Sequence, residues 1–345
     1  MKSPTVRFCV IGAGRAGLVH ASNLAGRIKH AALVSLCDPD TAKLYKAGRE
    51  LGVDNLFVNY DEAARSEEVD AVVIATPTSF HCEIACLCAE RHKHIFMEKP
   101  MSLTVDECKR INAAVAGSKV KLQIGFMRRY DDRFRQAKEA IASGELGRVM
   151  LIKSTGRGPG GPGPWMYDMS KSNGIVAEVN SHDIDTLRWL AADEFKTVYA
   201  QARNFKCQEA REAWPDFYDT FVANFSFCGG AMGMLDGACP VHYGYDARVE
   251  VLCEGGLVLV GCVNEPGFAV VSLDGRVSNR AVKSWRTVFK DAYLAEIEDF
   301  VECIRQDRLP SVTGQDGQRA VEAVLAVNTS IRTGQPVVIE QESVL

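Results

Sequence analysis

The chain has no apolar run approaching the ~20 residues that cross a bilayer, so no membrane span is read. It has no internal repeat and no CxxC pair. It has no basic excess: 40 Lys and Arg against 44 Asp and Glu give a formal charge of −4. Nothing global therefore draws it to nucleic acid or an anionic membrane. No basic residues interleave its Phe and Trp residues, which sets aside a base-stacking platform. The start, Met1-Lys2-Ser3-Pro4, runs straight into an apolar strand pattern without a basic region, long apolar stretch and cleavage site in succession. No signal peptide is read there. What is present is ordinary: 47% hydrophobic and 24% charged residues, the mix of a soluble globular protein. The 345 residues suggest two domains. Twelve cysteines without paired spacing read as reduced, mostly buried thiols, and the chain as cytoplasmic.

Up to about residue 125, short apolar β-branched runs alternate with helical patterns. Strands are expected at 5–11, 31–37, 71–75, 94–97 and 121–125, with helices at 16–25, 41–51, 78–91 and 105–117. That alternation predicts βαβ units and a parallel, doubly wound sheet, and the nearly all-apolar strands fit helices on both faces. Beyond it, a helix is expected at 131–143, strands at 149–155, 197–203, 220–227, 231–237, 247–253, 256–263 and 268–273, and one helix at 181–191. Successive strands argue a large, mostly antiparallel open sheet in an α+β domain. The fold class is thus α/β, a Rossmann domain at 1–125 followed by an α+β substrate and oligomerisation domain at 126–345. Helices at 291–307 and 316–334 close the chain and could pack back on the first domain. The stretch Gly156 to Trp165 holds five glycines and three prolines and reads as irregular loop.

Gly12-Ala13-Gly14-Arg15-Ala16-Gly17 is GxGxxG placed after a strand and opening a helix. The first glycine permits the turn, the second admits a pyrophosphate, and the third lets helix and strand pack closely. The helix N-terminus offers unpaired N–H groups to the anion. Asp38, 21 residues after Gly17, ends the second strand, where an acid bonds a ribose 2′-OH and repels a 2′-phosphate. NAD is therefore favoured over NADP. Thr76 and Pro77 end the third strand, where they would line the cofactor's nicotinamide-side ribose or simply lead into a helix capped by Thr78.

Glu98-Lys99-Pro100 also falls at a strand's carboxyl end, beside that crevice. A lysine there can hold a substrate hydroxyl or carry a proton. Glu178, His182 and Asp185 would share one face of a helix at i, i+4 and i+7, a histidine with acids beside it to orient the ring. His81, Cys82, Cys86, Cys88, His92 and His94 crowd one region, but lack the tight paired spacing of zinc sites, and no metal is assigned.

These motifs together resemble the Gfo/Idh/MocA oxidoreductase family, and the segments from Gln123 to Asp131 and from His242 to Asp246 resemble its inositol 2-dehydrogenase branch. The resemblance implies NAD(P)-dependent oxidation of a secondary alcohol on a cyclic polyol or sugar. It implies Lys99 as active-site lysine and His182 as acid/base, with Glu178 beside them. It implies Glu98 and Lys99 at the cofactor, and Met127, Arg128, Tyr243 and Tyr245 lining the polyol. Homodimers or homotetramers on the exposed face of the second sheet are usual in the family. Two positions depart from the branch. Glu178 stands where Asp is usual, and Arg157-Gly158 stands near the place of a substrate-contacting Asn, so the substrate need not be myo-inositol. Competing readings are a same-family dehydrogenase of another sugar or an aromatic dihydrodiol, one of a nucleotide sugar with Arg203, Lys206 and Arg211 as its groove, and a non-catalytic sensor. Retention of both Lys99 and His182 argues for an enzyme.

Overall fold

The computed structural model describes residues 5–264, 269–274 and 276–340. The chain divides into two compact units, Met1–Tyr130 with Asp291–Val321, and Asp131–Lys290 with Glu322–Leu345.

The first unit runs β1 (Val6–Ile11), α1 (Arg15–Leu24), β2 (Ala31–Cys37), α2 (Thr41–Leu51), β3 (Leu56–Phe57), α3 (Tyr60–Arg65), β4 (Ala71–Ile74), α4 (His81–Glu90), β5 (His94–Glu98), α5 (Val105–Ser118) and β6 (Leu122–Gly125). Its six strands lie in the order β3-β2-β1-β4-β5-β6 and every pairing is parallel. Alternate residues of β1, Val6, Phe8 and Val10, join Leu24 of α1, Leu36, Phe96 and Ile297 and Phe300 of a later helix in one core. Successive strand residues point to opposite faces, and α3 and α4 cover the other side. The β3–α3 pair was not anticipated. A two-residue strand and a six-residue helix are too short to show a period.

The second unit holds α6 (Asp132–Ala142), β7 (Val149–Arg157), α7 (Met169–Ser172), α8 (Gly174–Glu178), α9 (Ser181–Ala191), β8 (Phe195–Arg203), β9 (Thr220–Phe227), β10 (Met232–Ala238), β11 (Asp246–Cys253), β12 (Gly256–Val260), β13 (Val270–Val271), β14 (Val277–Ser278) and α10 (Trp285–Val288). Helix α11 (Lys290–Arg305) belongs to the first unit from Asp291 on, α12 (Gly314–Thr333) contributes to both, and β15 (Val337–Val338) ends the large sheet of the second. That sheet has seven strands in the order β12-β11-β7-β10-β9-β8-β15. All pairs are antiparallel except β7 with β10. The expected strand at 268–273 is shorter than read: only Val270 and Val271 are extended, and Phe268 lies outside the described residues.

The glycine-rich stretch is not irregular throughout. Strand β7 runs on through Gly156 and Arg157, and Pro164–Met166 form a 3-10 turn. Glycine is required in the strand here, because a Cβ on Gly156 would sit 2.0 Å from Asp183 Oδ2 and 2.3 Å from Asn180 Nδ2. The face of β7 that carries Gly156 therefore meets α9 across almost no gap.

Candidate active site

In the first unit, the turn after β1 is built for close approach. Gly12 has φ +105°, and a Cβ there would lie 2.5 Å from the Ala75 carbonyl oxygen. A Cβ on Gly17 would lie 1.8 Å from the Gly12 oxygen, so only glycine lets α1 seat against β1. Gly14 faces open space. Helix α1 begins with no side-chain cap and no acid in its first turn, leaving its N–H groups and positive dipole end to an anion. Arg15 and Ala16 open that helix, with Arg15 exposed. The Asp38 carboxylate stands beside the turn: Ala13 N–H donates to Oδ2 at 2.7 Å and Asp40 N–H to Oδ1 at 2.9 Å. Pro77 is exposed, while the Thr76 hydroxyl is buried without a hydrogen-bond partner among the described residues. An open glycine, an uncapped helix start, an acid at the strand end and an orphaned hydroxyl fit a dinucleotide.

Thr78 does not cap the following helix. It lies inside a 3-10 turn, Thr78–Phe80, with Pro77 before it. His81 is a structural histidine set between two backbone carbonyls, Nδ1 lying 2.9 Å from the Pro100 oxygen and Nε2 3.0 Å from the Thr76 oxygen. Burial lowers its pKa and pushes the Cys82 thiol up to about 11. His81 thereby ties the Thr76 and Pro100 segments together.

Glu98 is buried at the end of β5, and half-buried Lys99 follows it. Lys99 N–H donates to Glu98 Oε2 at 3.2 Å, while Glu98 Oε1 meets His20 Nε2 at 2.7 Å. Met127 and Arg128 lie on a 3-10 turn after β6, 1% and 2% exposed. An arginine is seldom buried that deep unless it is paired. Its neighbours fix the turn: Arg129 pairs with Asp316 at 3.0 Å and the Tyr130 hydroxyl donates to Asp299 at 2.8 Å.

In the second unit, His182 and Asp185 sit one turn apart on α9, both buried. Glu178 does not share their helix. It ends α8, and Asn180, with φ −102° and ψ 2°, breaks the path between. The cause is local: the Asn180 side-chain amide donates to the Gly156 carbonyl at 2.8 Å and to Asp183 Oδ2 at 3.0 Å, while Ser154 Oγ donates to Asp183 Oδ1 at 2.7 Å. The single-face reading of Glu178 with His182 is thus corrected. Asn180, Asp183 and Ser154 hold the His182 helix on β7, a role that residue spacing alone does not give them. Asn before Ser181 is a helix-start residue, and that signal could have placed the break.

Arg157 is also corrected in place. Gly156 faces α9, so Arg157 points to the other face of the sheet. There its Nε donates to Asp236 at 2.5 Å and Nη1 to the Tyr243 hydroxyl at 3.3 Å, and Tyr243 in turn donates to Asp246 at 2.7 Å. The structure brings Arg157 and Tyr243 together and separates both from His182. Tyr245 goes elsewhere, its ring edge-to-face with Phe289 at 6.2 Å, in a cavity lined also by Arg133, Phe134 and Val282.

Residues 6–126 match the model of the oxidoreductase family with NAD-binding Rossmann fold, and residues 134–259 match the GFO/IDH/MocA C-terminal domain. The chain belongs to the Gfo/Idh/MocA oxidoreductase family. Among its relatives within that family, the scyllo-inositol 2-dehydrogenase (NAD(+)) of Bacillus subtilis is 33% identical over 97% of this chain and 96% of its own length. The myo-inositol 2-dehydrogenase of Thermotoga maritima is 31% identical over 97% and 99%. A crystal structure of scyllo-inositol dehydrogenase from Lactobacillus casei with bound NAD(H) and scyllo-inositol has a TM-score of 0.88 at 28% identity, covering 97% of this chain and 99% of that one. Family membership makes this chain an oxidoreductase with an NAD-binding Rossmann domain followed by a mixed, mostly antiparallel sheet.

Proposed function

We propose that this chain oxidises one secondary hydroxyl of an inositol-like cyclic polyol to the ketone, using NAD. The observation that carries the reading is the placement of Lys99 at the carboxyl end of β5, in the same unit as the glycine turn and Asp38. Ligands of doubly wound sheets lie beyond those strand ends. The similarity to inositol dehydrogenases along nearly the whole chain supports the substrate class.

Bound NAD supplies the acceptor for the hydride that leaves the carbinol carbon. The protein's part is binding, orientation and proton handling. His182 accepts the hydroxyl proton, with Asp185 one helical turn away to stabilise the imidazolium. The Lys99 ammonium steadies the alkoxide as it forms. Met127 and Arg128 complete the polyol contacts, and Tyr245, packed on Phe289, stands outside them. Arg157 and Tyr243, on the other sheet face, stand outside that set, and Glu178 is assigned no proton-transfer step. Asp38 gives NAD its preference over NADP, since a carboxylate there would face the 2′-phosphate. Arg203, Lys206 and Arg211 each donate to a nearby backbone carbonyl, which favours a plain polyol over a nucleotide sugar. Apolar side chains on the outer sheet face, Val222, Met232, Leu257 and Leu259, suit a contact between copies of the chain. None of the twelve cysteines, all among the described residues, forms a disulfide, which suits a reducing, cytoplasmic setting.

The test is NADH appearance with NAD and a panel of inositol isomers and pyranoses, with NADP in parallel. Turnover on an inositol with NAD preferred is the expected result. Tight NAD binding without turnover on any of them would overturn the polyol assignment.

A further inference from the structure

Three side chains meet in the core of the first unit. His20 from α1, Glu98 from β5 and Glu296 from α11 are 0%, 5% and 0% exposed. One ligand-type atom of each lies within 4.8 Å of the others. His20 Nε2 meets Glu98 Oε1 at 2.7 Å, and Glu98 Oε2 accepts the Lys99 N–H at 3.2 Å. Both oxygens of Glu296 and Nδ1 of His20 are buried without a hydrogen-bond partner among the described residues. The His20 ring packs against Phe96, centroids 4.9 Å apart, and Tyr293, 5.5 Å apart. A carboxyl group in such surroundings cannot stay charged and unpaired.

We propose that Glu296 is a positioning residue of this enzyme: it stands as an uncharged acid beside the Glu98 carboxylate, and the His20–Glu98–Glu296 cluster holds the helix of the dinucleotide turn against the peptide that carries Lys99. The proposal rests on the reading of Lys99 as catalytic. The groups facing Glu296 are His20 on α1, Glu98 on β5 and Tyr130 on the turn after β6, while Gln123 on β6 donates to its backbone carbonyl at 2.7 Å. Burial first, and the negative charge of Glu98 second, raise Glu296 well above the usual carboxylate range. Burial pushes Glu98 the same way. Its hydrogen bond to His20 and the charges of His20 and Lys99 outweigh that and leave Glu98 lowered. Two neighbouring carboxyls are thus driven apart, one to the acid and one to the carboxylate.

The test compares Glu296→Gln, a neutral isostere, with Glu296→Leu, which removes the polar group. Infrared spectra of the full chain at neutral pH read the protonated carboxyl through its C=O stretch. The expected result is a band present in the wild type and absent from Glu296→Gln. On the best inositol, Glu296→Gln stays within about threefold of wild-type kcat with the same pH profile, and Glu296→Leu loses about tenfold with NAD affinity retained and a shifted profile. A folded Glu296→Leu with wild-type kcat and profile would reduce the cluster to packing. Equal loss in both variants, or no change of the infrared band, would overturn the uncharged-acid assignment. So would a stoichiometric metal ion in the wild type that Glu296→Gln loses. If Glu296→Leu does not fold, the infrared comparison decides. If no inositol is oxidised, the Lys99 reading falls, while the band still reports on the cluster.

Discussion

At Asp38 one carboxylate has two duties. It accepts the Ala13 N–H, bracing the glycine turn, and it stands where a ribose hydroxyl would be read. Asp38→Ala should therefore weaken NAD by roughly 10- to 100-fold, the range for a lost hydrogen bond to a charged group. NADP should weaken less, because the repelling charge leaves with the carboxylate. Titrating both cofactors by fluorescence checks this, and an unchanged ratio of the two affinities would remove Asp38 from cofactor choice. Lys99 differs, because its backbone N–H is anchored by Glu98 and its ammonium is the group assigned to the substrate. Lys99→Ala should lower kcat by roughly 10²- to 10⁴-fold with NAD affinity nearly intact. Wild-type turnover in that variant would take Lys99 out of the mechanism.

Among elements, signals confined to one stretch are legible in the sequence, and contacts between distant stretches are not. α2, β9 and α9 have the bounds that periodicity and turn residues imply. The glycine turn was legible because all its parts lie in one short stretch that contacts itself, with Asp38 a fixed distance on. The break between α8 and α9 was not, because Asn180 leaves the helix to bond a carbonyl on β7, a partner that spacing along one helix cannot reveal. The side of the sheet that Arg157 takes depends on Gly156 facing α9. Glu296 lies far along the chain from His20 and Glu98, and no motif joins them. The α9–β7 contact makes its own prediction. A methyl on Gly156 would collide with the Asp183 carboxylate and the Asn180 amide and push α9 outward. Gly156→Ala should cost about 1–3 kcal/mol from overpacking, and kcat should fall because the helix carrying His182 moves. Denaturant melts with steady-state kinetics would show both, and wild-type values for each would mean that α9 is not seated by this contact.

Over the whole molecule, the two units carry buried carboxyls with opposite pH signs. In the second, Asp219 is 1% exposed and accepts the N–H groups of Phe205, Lys206 and Cys207. Burial alone would raise it, but those bonds together outweigh burial and hold it low. Its contribution is present above its unfolded pKa of about 3.9 and is lost as pH falls through the folded value. In the first, Glu296 is raised by burial and by Glu98. Its contribution is full below its unfolded pKa of about 4.3 and is lost as pH rises toward the folded value. Stability should therefore decline on both sides of mildly acidic pH, for a different reason in each unit. Asp219→Asn should flatten the acid limb alone, its Tm deficit at neutral pH shrinking toward about pH 3. Glu296→Gln should flatten the other limb alone, its Tm gaining on wild type as pH rises above about 5. Thermal melts across pH of the two variants and the wild type separate these effects. Parallel Tm curves for Glu296→Gln and wild type would mean that Glu296 binds no extra proton in the fold, and the charge assignment within the His20–Glu98–Glu296 cluster would have to be reversed.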